Sequence, residues 1–311
     1  SRGADLNRNY PYEWEIIPGE CGETYSGPTA GSEPETVAIT NYVLSIFPDQ
    51  KGPNPNDPVN ELNATGMFVD LHSYSRLVLW PWGYTYDTAP NDASLRMMSY
   101  KFAYYNGHDP QKSTELYPST GSTDDWAYGE LGVPGFCFEV GDSFHQSCSV
   151  FENDINPNNQ QALLRAIKIA RKPYRLAYGP EVTNLSLDTN PILPGQNLVV
   201  NYTANDTLYS SYESGIPSQN IISIRYSIDK PSWISGSNPT IIPINAQVPT
   251  YSGTFTASTT GLALGQHTLF VESVDQSGLW GPPTAIFFTI ESTDPPVTDQ
   301  YFYLPLIMND L

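Results

Sequence analysis

Gly135-Phe-Cys-Phe-Glu-Val140 is an apolar, strand-forming run with one carboxylate set into it. Met67-Phe-Val-Asp-Leu-His72 is a second short apolar run, this one ending in a histidine. Runs of this length and character read as strands buried on both faces of a sheet. Helix-period segments lie around them. Glu33 to Phe47 carries Val37, Tyr42, Val43 and Ile46 at near-helical spacing, and Asn91 to Asn106 reads as a second helix. Asn158 to Arg171 is a third, with Ala162, Leu163, Ala166, Ile169 and Ala170 on one face and Pro173 as its stop. Strands alternating with helices predict an α/β layer architecture over residues 1–178.

The helical period ends there. Residues 181–292 give short alternating segments broken by Pro, Gly and Asn: Leu198–Tyr202, Ile221–Ile228, Tyr251–Ala257, His267–Ser273 and Ala285–Ile290. About seven strands in ~110 residues predict an all-β sandwich. The boundary falls at Tyr178-Gly-Pro-Glu181. A Pro-rich linker, Thr293-Asp-Pro-Pro-Val297, precedes an aromatic-aliphatic tail, Tyr301–Met308, and together they form a third segment, 293–311. The tail reads as packing on its own module, as a sorting signal, or as a strand added to a neighbour's sheet edge.

With 14 Lys plus Arg against 33 Asp plus Glu, the formal net charge is −19. A nucleic-acid binder needs the opposite balance, and an anionic membrane surface would repel this chain. No apolar run approaches a bilayer span. Only 15% of residues are charged, against 13% aromatic, which suits a secreted or cell-surface protein better than a cytosolic one. Of three cysteines, Cys137 sits in the apolar run and is expected to be free. Cys21 and Cys148 lie in polar stretches and are expected to pair in an oxidising compartment, the alternative being three reduced thiols.

Single residues suggest chemistry. Glu139 lies inside an apolar strand, where a carboxylate is costly unless paired, coordinated or functional. Strand alternation puts it on the same face as Cys137. Asp5-Leu-Asn-Arg-Asn-Tyr10 offers an Arg flanked by amides, suited to gripping a carboxylate. Thr120-Gly-Ser-Thr-Asp-Asp-Trp126 reads as a turn that projects acids. Each also has a plain reading as a satisfied buried polar group.

Their order carries more. Asp5–Tyr10, Tyr25-Ser-Gly-Pro28, Ser32-Glu-Pro-Glu-Thr36, Asp70-Leu-His-Ser-Tyr74, Pro81-Trp-Gly83, Tyr117, Gly121–Trp126 and Phe138-Glu139 follow in succession. This succession resembles the zinc metallocarboxypeptidases of the A, B and T type, over about residues 1–176. The resemblance implies an α/β/α sandwich with a mixed sheet, a zinc cofactor and peptide substrates cut at their C-terminal residue. It makes His72 a zinc ligand and Glu139 the general base that activates the attacking water. Asn7, Arg8 and Tyr117 would hold the substrate's terminal carboxylate. Asp124 would face basic C-terminal side chains, and Leu79, Gly83 and Cys137 would line the same pocket and admit apolar ones. Tyr74 completes the substrate-binding set.

One departure is large. The family's other two zinc ligands come from a His-x-x-Glu motif ahead of the Asn-Arg block. None of His72, His108, His145 and His267 is followed by Glu three residues on. One family ligand cannot close a tetrahedral site, so tight zinc binding by this chain alone is not expected. The expected partner is an N-terminal segment of the same catalytic domain, or a neighbouring subunit, that supplies the rest. The alternative is a catalytically inactive fragment serving as a structural subunit of an extracellular assembly or filament. Ile224-Arg-Tyr-Ser-Ile228, Gly265–Val271 and Asp275–Gly281 resemble immunoglobulin-like modules appended to secreted hydrolases, which implies a spacer or adhesion role for 181–292.

Overall fold

Strand alternation sorts the side chains of the first sheet into a core face and a site face. The computed structural model describes residues 3–20, 22–54, 56–212 and 216–292. Its first sheet has four strands in the order β1 (Phe68–His72), β4 (Gly135–Glu139), β2 (Leu77–Trp80), β3 (Asp109–Lys112). β1 and β4 are parallel, with Asp70 opposite Cys137 and His72 opposite Glu139. β2 is antiparallel to β4 and sets Leu79 opposite Cys137. The sheet is therefore mixed. Among the described residues the α-helices are α1 (Pro34–Ile46), α2 (Asp92–Asn106), α3 (Ser113–Leu116), α4 (Thr123–Leu131), α5 (Cys148–Val150), α6 (Asn156–Ile169) and α7 (Pro173–Leu176).

Phe136 and Phe138 of β4 and Val78 and Trp80 of β2 enter a core with Leu95, Met98 and Phe102 of α2 and Ala162, Ala166 and Ile169 of α6. Phe102 meets Phe136 edge-on at 5.1 Å. Each fully buried Phe contributes about 1.5–3 kcal/mol relative to exposure. Leu77, Leu79 and Cys137 form a separate small cluster, away from that core. This separation leaves β4's odd-numbered residues free for chemistry.

The helices α1 and α2 lie within a residue of the expected spans. Three expectations need correction. The third helix starts earlier, because a π turn at Phe151–Ile155 leads into α6, and Pro157, which has no N–H to give to the preceding turn, follows directly on that π turn. α6 ends at Ile169, two residues short of the expected Arg171, and Pro173 opens α7. The stretch 120–126 is a turn only as far as Ser122, after which α4 begins. β4 is buried throughout, but β1 is only partly so, with Leu71 55% exposed. β1 is the outermost strand of its sheet, so one edge is unpaired among the described residues.

Two further antiparallel sheets follow. One is β5 (Glu181–Leu187), β6 (Leu198–Asn205), β9 (Thr250–Ala257); the other is β11 (Thr284–Ile290), β10 (Gly265–Asp275), β7 (Ile221–Ile228), β8 (Thr240–Pro243). β6 alternates in the expected way, burying Leu198, Val200, Tyr202 and Ala204 against Phe255, Leu269, Val271 and Phe288. The short edge strand β8 is mostly exposed, which explains why no clear apolar alternation marks it. His267 is structural: Asp229 and the Ala263 carbonyl hold its two ring nitrogens. The expected linker and tail, 293–311, lie outside the described residues. Among the described residues, no helix is long and apolar enough to cross a membrane.

Candidate active site

The site opens on the face of β4 opposite the aromatic core. Because β1 and β4 are parallel and in register, His72 and Glu139 end their strands side by side. His72 Nδ1 lies 3.9 Å from Glu139 Oε1. The other ring nitrogen, Nε2, lies 2.8 Å from Asp70 Oδ2. A carboxylate there fixes the proton on Nε2 and leaves the Nδ1 lone pair facing the cavity. Thr123 also donates its hydroxyl to Asp70 Oδ2. Burial works against the Asp70 charge, but the His72 ring and the Thr123 hydroxyl outweigh it and hold its pKa below the usual range. The same Asp70 bond raises the His72 pKa.

Glu139 is 8% exposed, and burial raises its pKa against the opposing pull of His72. Its Oε2 is buried with no hydrogen-bond partner. An orphaned carboxylate oxygen costs stability unless something else engages it.

The short 3-10 turn Leu6–Arg8 brings the next groups in. Asp5 caps it by accepting from the Asn7 backbone N–H at 3.0 Å. Asn7 Oδ1 accepts from the Thr123 N–H at 2.8 Å, and its Nδ2 lies 3.4 Å from His72 Nε2. Arg8 Nη1 donates to the Asn7 carbonyl at 2.6 Å, and Nη2 reaches the Tyr117 hydroxyl at 3.4 Å. Tyr117 is 52% exposed, so Arg8 and Tyr117 together form one lip of the opening. Deeper in, Asp124 is 3% exposed and accepts from the Ser113 hydroxyl at 2.8 Å. These groups enclose a cavity of about 140 Å³, with Leu79, Leu116 and Cys137 as its apolar wall.

Not every predicted residue lines this cavity. Gly83 lies behind it: its N–H donates to Asp125 and its carbonyl accepts from Ser119, which does line the cavity. Tyr74 turns its ring onto Phe144 at 4.9 Å and is not among the lining residues. Cys137 is buried and free, as expected. Cys148 is an exposed free thiol and Cys21 lies outside the described residues, so the expected pairing has no counterpart among them. Sequence reasoning gave no role to Asp70 or Ser113. Asp70 was findable, because residues two apart on a strand share a face. Ser113 comes from a different segment and carries no such signal.

The donor set fits one side of a zinc site. His72, Cys137 and Glu139 offer ligand atoms within 4.8 Å of one another. Burial pushes the Cys137 thiol up, with the Asp124 and Glu139 charges adding to it, so the thiol stays protonated and packs with Leu77 and Leu79. Imidazole is then the metal donor of the group, and further donors are needed to reach four.

The zinc carboxypeptidase family profile matches residues 1–165. Human mast cell carboxypeptidase A is 33% identical over 184 residues, covering 55% of this chain and 39% of its own length. Dog carboxypeptidase B is 30% identical over 184 residues, covering 54% and 39%. The chain thus spans about two-fifths of the length of these curated relatives. A solved structure of bovine thrombin-activatable fibrinolysis inhibitor in complex with tick carboxypeptidase inhibitor aligns with a TM-score of 0.42 at 22% identity, over 55% of this chain and 56% of that one.

Proposed function

This chain belongs to the zinc carboxypeptidase family, and from that premise we propose that it carries the carboxylate-gripping and proton-moving part of a site that removes C-terminal residues from peptides. The observation that carries the reading is the convergence of Arg8, Asn7, Asp124, His72 and Glu139 on one cavity. Arg8, with the Tyr117 hydroxyl and Asn7 beside it, grips the terminal carboxylate, which confines cleavage to chain ends. Asp124, oriented by Ser113, faces a basic terminal side chain, and Leu79 and Cys137 let an apolar one enter. His72 Nδ1 is the zinc donor that this chain contributes. Zinc, when bound, supplies Lewis-acid polarisation of the scissile carbonyl. Glu139 takes the proton of the attacking water and returns it to the leaving amine. Its raised pKa brings it closer to neutrality, where both transfers are efficient.

The other zinc ligands come, in this reading, from an upstream segment of the same catalytic domain. Support lies in the surface such a segment would cover. α1 buries only Thr36 and Val43 and exposes Val37, Ile39, Tyr42, Leu44 and Ile46, while β1 has an unpaired edge with Leu71 exposed. The same surface favours a second reading, an inactive structural subunit packed into an extracellular assembly or filament. In the carboxypeptidase reading, residues 1–178 form the catalytic part, 181–292 an immunoglobulin-like spacer and 293–311 a tail, in a secreted or cell-surface protein.

The test is hydrolysis of acyl dipeptides ending in Arg, Lys or Leu by the chain assembled with its upstream segment. Glu139→Gln is expected to lower kcat by about 10²–10⁴ with KM little changed. Arg8→Gln is expected to raise KM by about tenfold or more. Equal rates on C-terminally amidated substrates would sink the reading. No zinc and no turnover in the assembled material would leave the structural one.

A further inference from the structure

The chain is acidic overall, at −19, yet four of its 14 basic residues line one cavity. This cavity, of about 330 Å³, lies where the turn from α6 to α7 meets the β10–β11 connection. Arg171 and Lys172 come from the turn, Arg175 from α7 and Arg225 from β7, with Leu62 and Trp280 as apolar walls. No Asp or Glu is among its described lining residues. It shares no lining residue with the cavity around Glu139, so a ligand held here is independent of the peptidase reading.

The four cations are not equally engaged. Arg225 is fixed: its Nε and Nη2 donate to Glu272 at 2.7 and 3.0 Å, and its guanidinium lies 4.0 Å from the Trp280 ring centroid. Lys172 donates once, to the Leu62 carbonyl at 3.1 Å, leaving two N–H groups. Arg171 lies 4.1 Å over Trp233, and burial, with the neighbouring Arg225 charge, pulls its pKa down despite Glu272. Its guanidinium makes no hydrogen bond or ion pair to a carboxylate among the described residues, and neither does that of the exposed Arg175. Like charges crowded in a concave, partly desolvated place repel each other unless an anion joins them. Guanidinium forks match the oxygens of a sulfate or phosphate group better than a point charge does.

We propose that this cavity binds a compact dianion, a sulfate or phosphate group, free or carried on a sugar, through Arg171, Arg175 and the open face of Lys172.

The test is calorimetric titration of the full chain with inorganic sulfate and, separately, with glucose 6-phosphate, at ionic strength held constant with chloride. Saturable one-to-one binding is expected, weakened about tenfold or more by Arg175→Gln and again by Arg171→Gln. Lys230→Gln, exposed and not among the lining residues, should leave it unchanged. Arg175 is exposed, so its variant keeps the fold even if Arg171→Gln loosens the packing on Trp233; circular dichroism checks both. Tighter binding of the sugar phosphate identifies a carried group, and binding of sulfate alone a free anion. The proposal is overturned if neither probe saturates, if Arg175→Gln binds as the parent does, or if Lys230→Gln weakens binding equally.

Discussion

His108 is 3% exposed just ahead of β3, with its Nδ1 3.1 Å from Asn106 Nδ2. The amide donates to that nitrogen, so the buried ring is neutral. Burial lowers its pKa to about 4; the Leu77 carbonyl, Asp154 and Asp142 oppose this, and Arg76 reinforces it. The unfolded chain takes up this proton near pH 6.5 and the folded chain only near 4. Between those values the unfolded state holds more protons, so stability falls as the pH drops, by about 3 kcal/mol in total. His108→Gln should lose that component. Urea unfolding at pH 7 and pH 4.5 measures it, and parallel losses in parent and variant would refute the assignment. The contrast with Glu139 shows what sequence reveals at this scale. A carboxylate inside an apolar strand announces itself, because an ionisable group there is anomalous. His108 lies in Asn106-Gly-His-Asp109, an ordinary polar connection, and only the tertiary structure buries it. The Asp70–His72 pair was findable from strand alternation, although Asp70 was given no role. The Asn7–Thr123 bond, between residues far apart in sequence, was not.

At the scale of elements, α4 shows how packing overrides local preference. Read locally, Gly121-Ser-Thr-Asp-Asp is turn chemistry, and Gly121 does turn, at φ +67°. Beyond Ser122 the chain becomes helical, with Asp124 and Asp125 in the first turn, where the helix dipole favours negative charge. Gly129 then sits inside the helix, where Ala is normally better by about 1 kcal/mol. Here a methyl group would run into the Tyr12 ring, which stacks on Trp82 at 5.4 Å. Gly129→Ala should therefore destabilise by about 1–3 kcal/mol, the cost of overpacking, instead of gaining from propensity. Urea denaturation of the variant, alone and with Tyr12→Ala, reads this out. A penalty that persists without the Tyr12 ring would place its cause elsewhere. The long helices α1 and α2 were legible because their apolar period repeats over three or more turns. The start of α4 was not, because its first turn is polar and the groups that engage it, Asn7, Asp70, Gly83 and Ser113, come from four separate earlier segments.

Across the whole molecule, the two cores meet at a seam whose chemistry composition does not suggest. Arg165 of α6 and Glu181 of β5 are 1% and 3% exposed at their side chains, with Nε and Oε1 3.2 Å apart. The alignment is poor for a hydrogen bond, and Arg165 Nη1 has no partner, while Nη2 reaches the Leu176 and Ala177 carbonyls at 3.4 and 3.5 Å. Lys101 of α2 is buried nearby with its ammonium unpartnered, and burial, with the Arg165 charge, lowers its pKa to about 8. The sequence marks the boundary at Tyr178-Gly-Pro-Glu181 but not this pairing, because an Arg on a helix normally reads as solvent-facing. Removing Glu181 leaves the Arg165 charge buried and uncompensated, next to Lys101. Glu181→Leu should therefore cost about 3–5 kcal/mol, whereas replacing both partners with apolar residues removes the charge together with its need for a partner. Arg165→Met combined with Glu181→Leu should be more stable than Glu181→Leu alone, and both differences are measurable by chemical denaturation. If the double variant is less stable than the parent, the ion pair is a net contributor to holding α6 against β5. If it matches or exceeds the parent, apolar packing alone is enough to hold this seam.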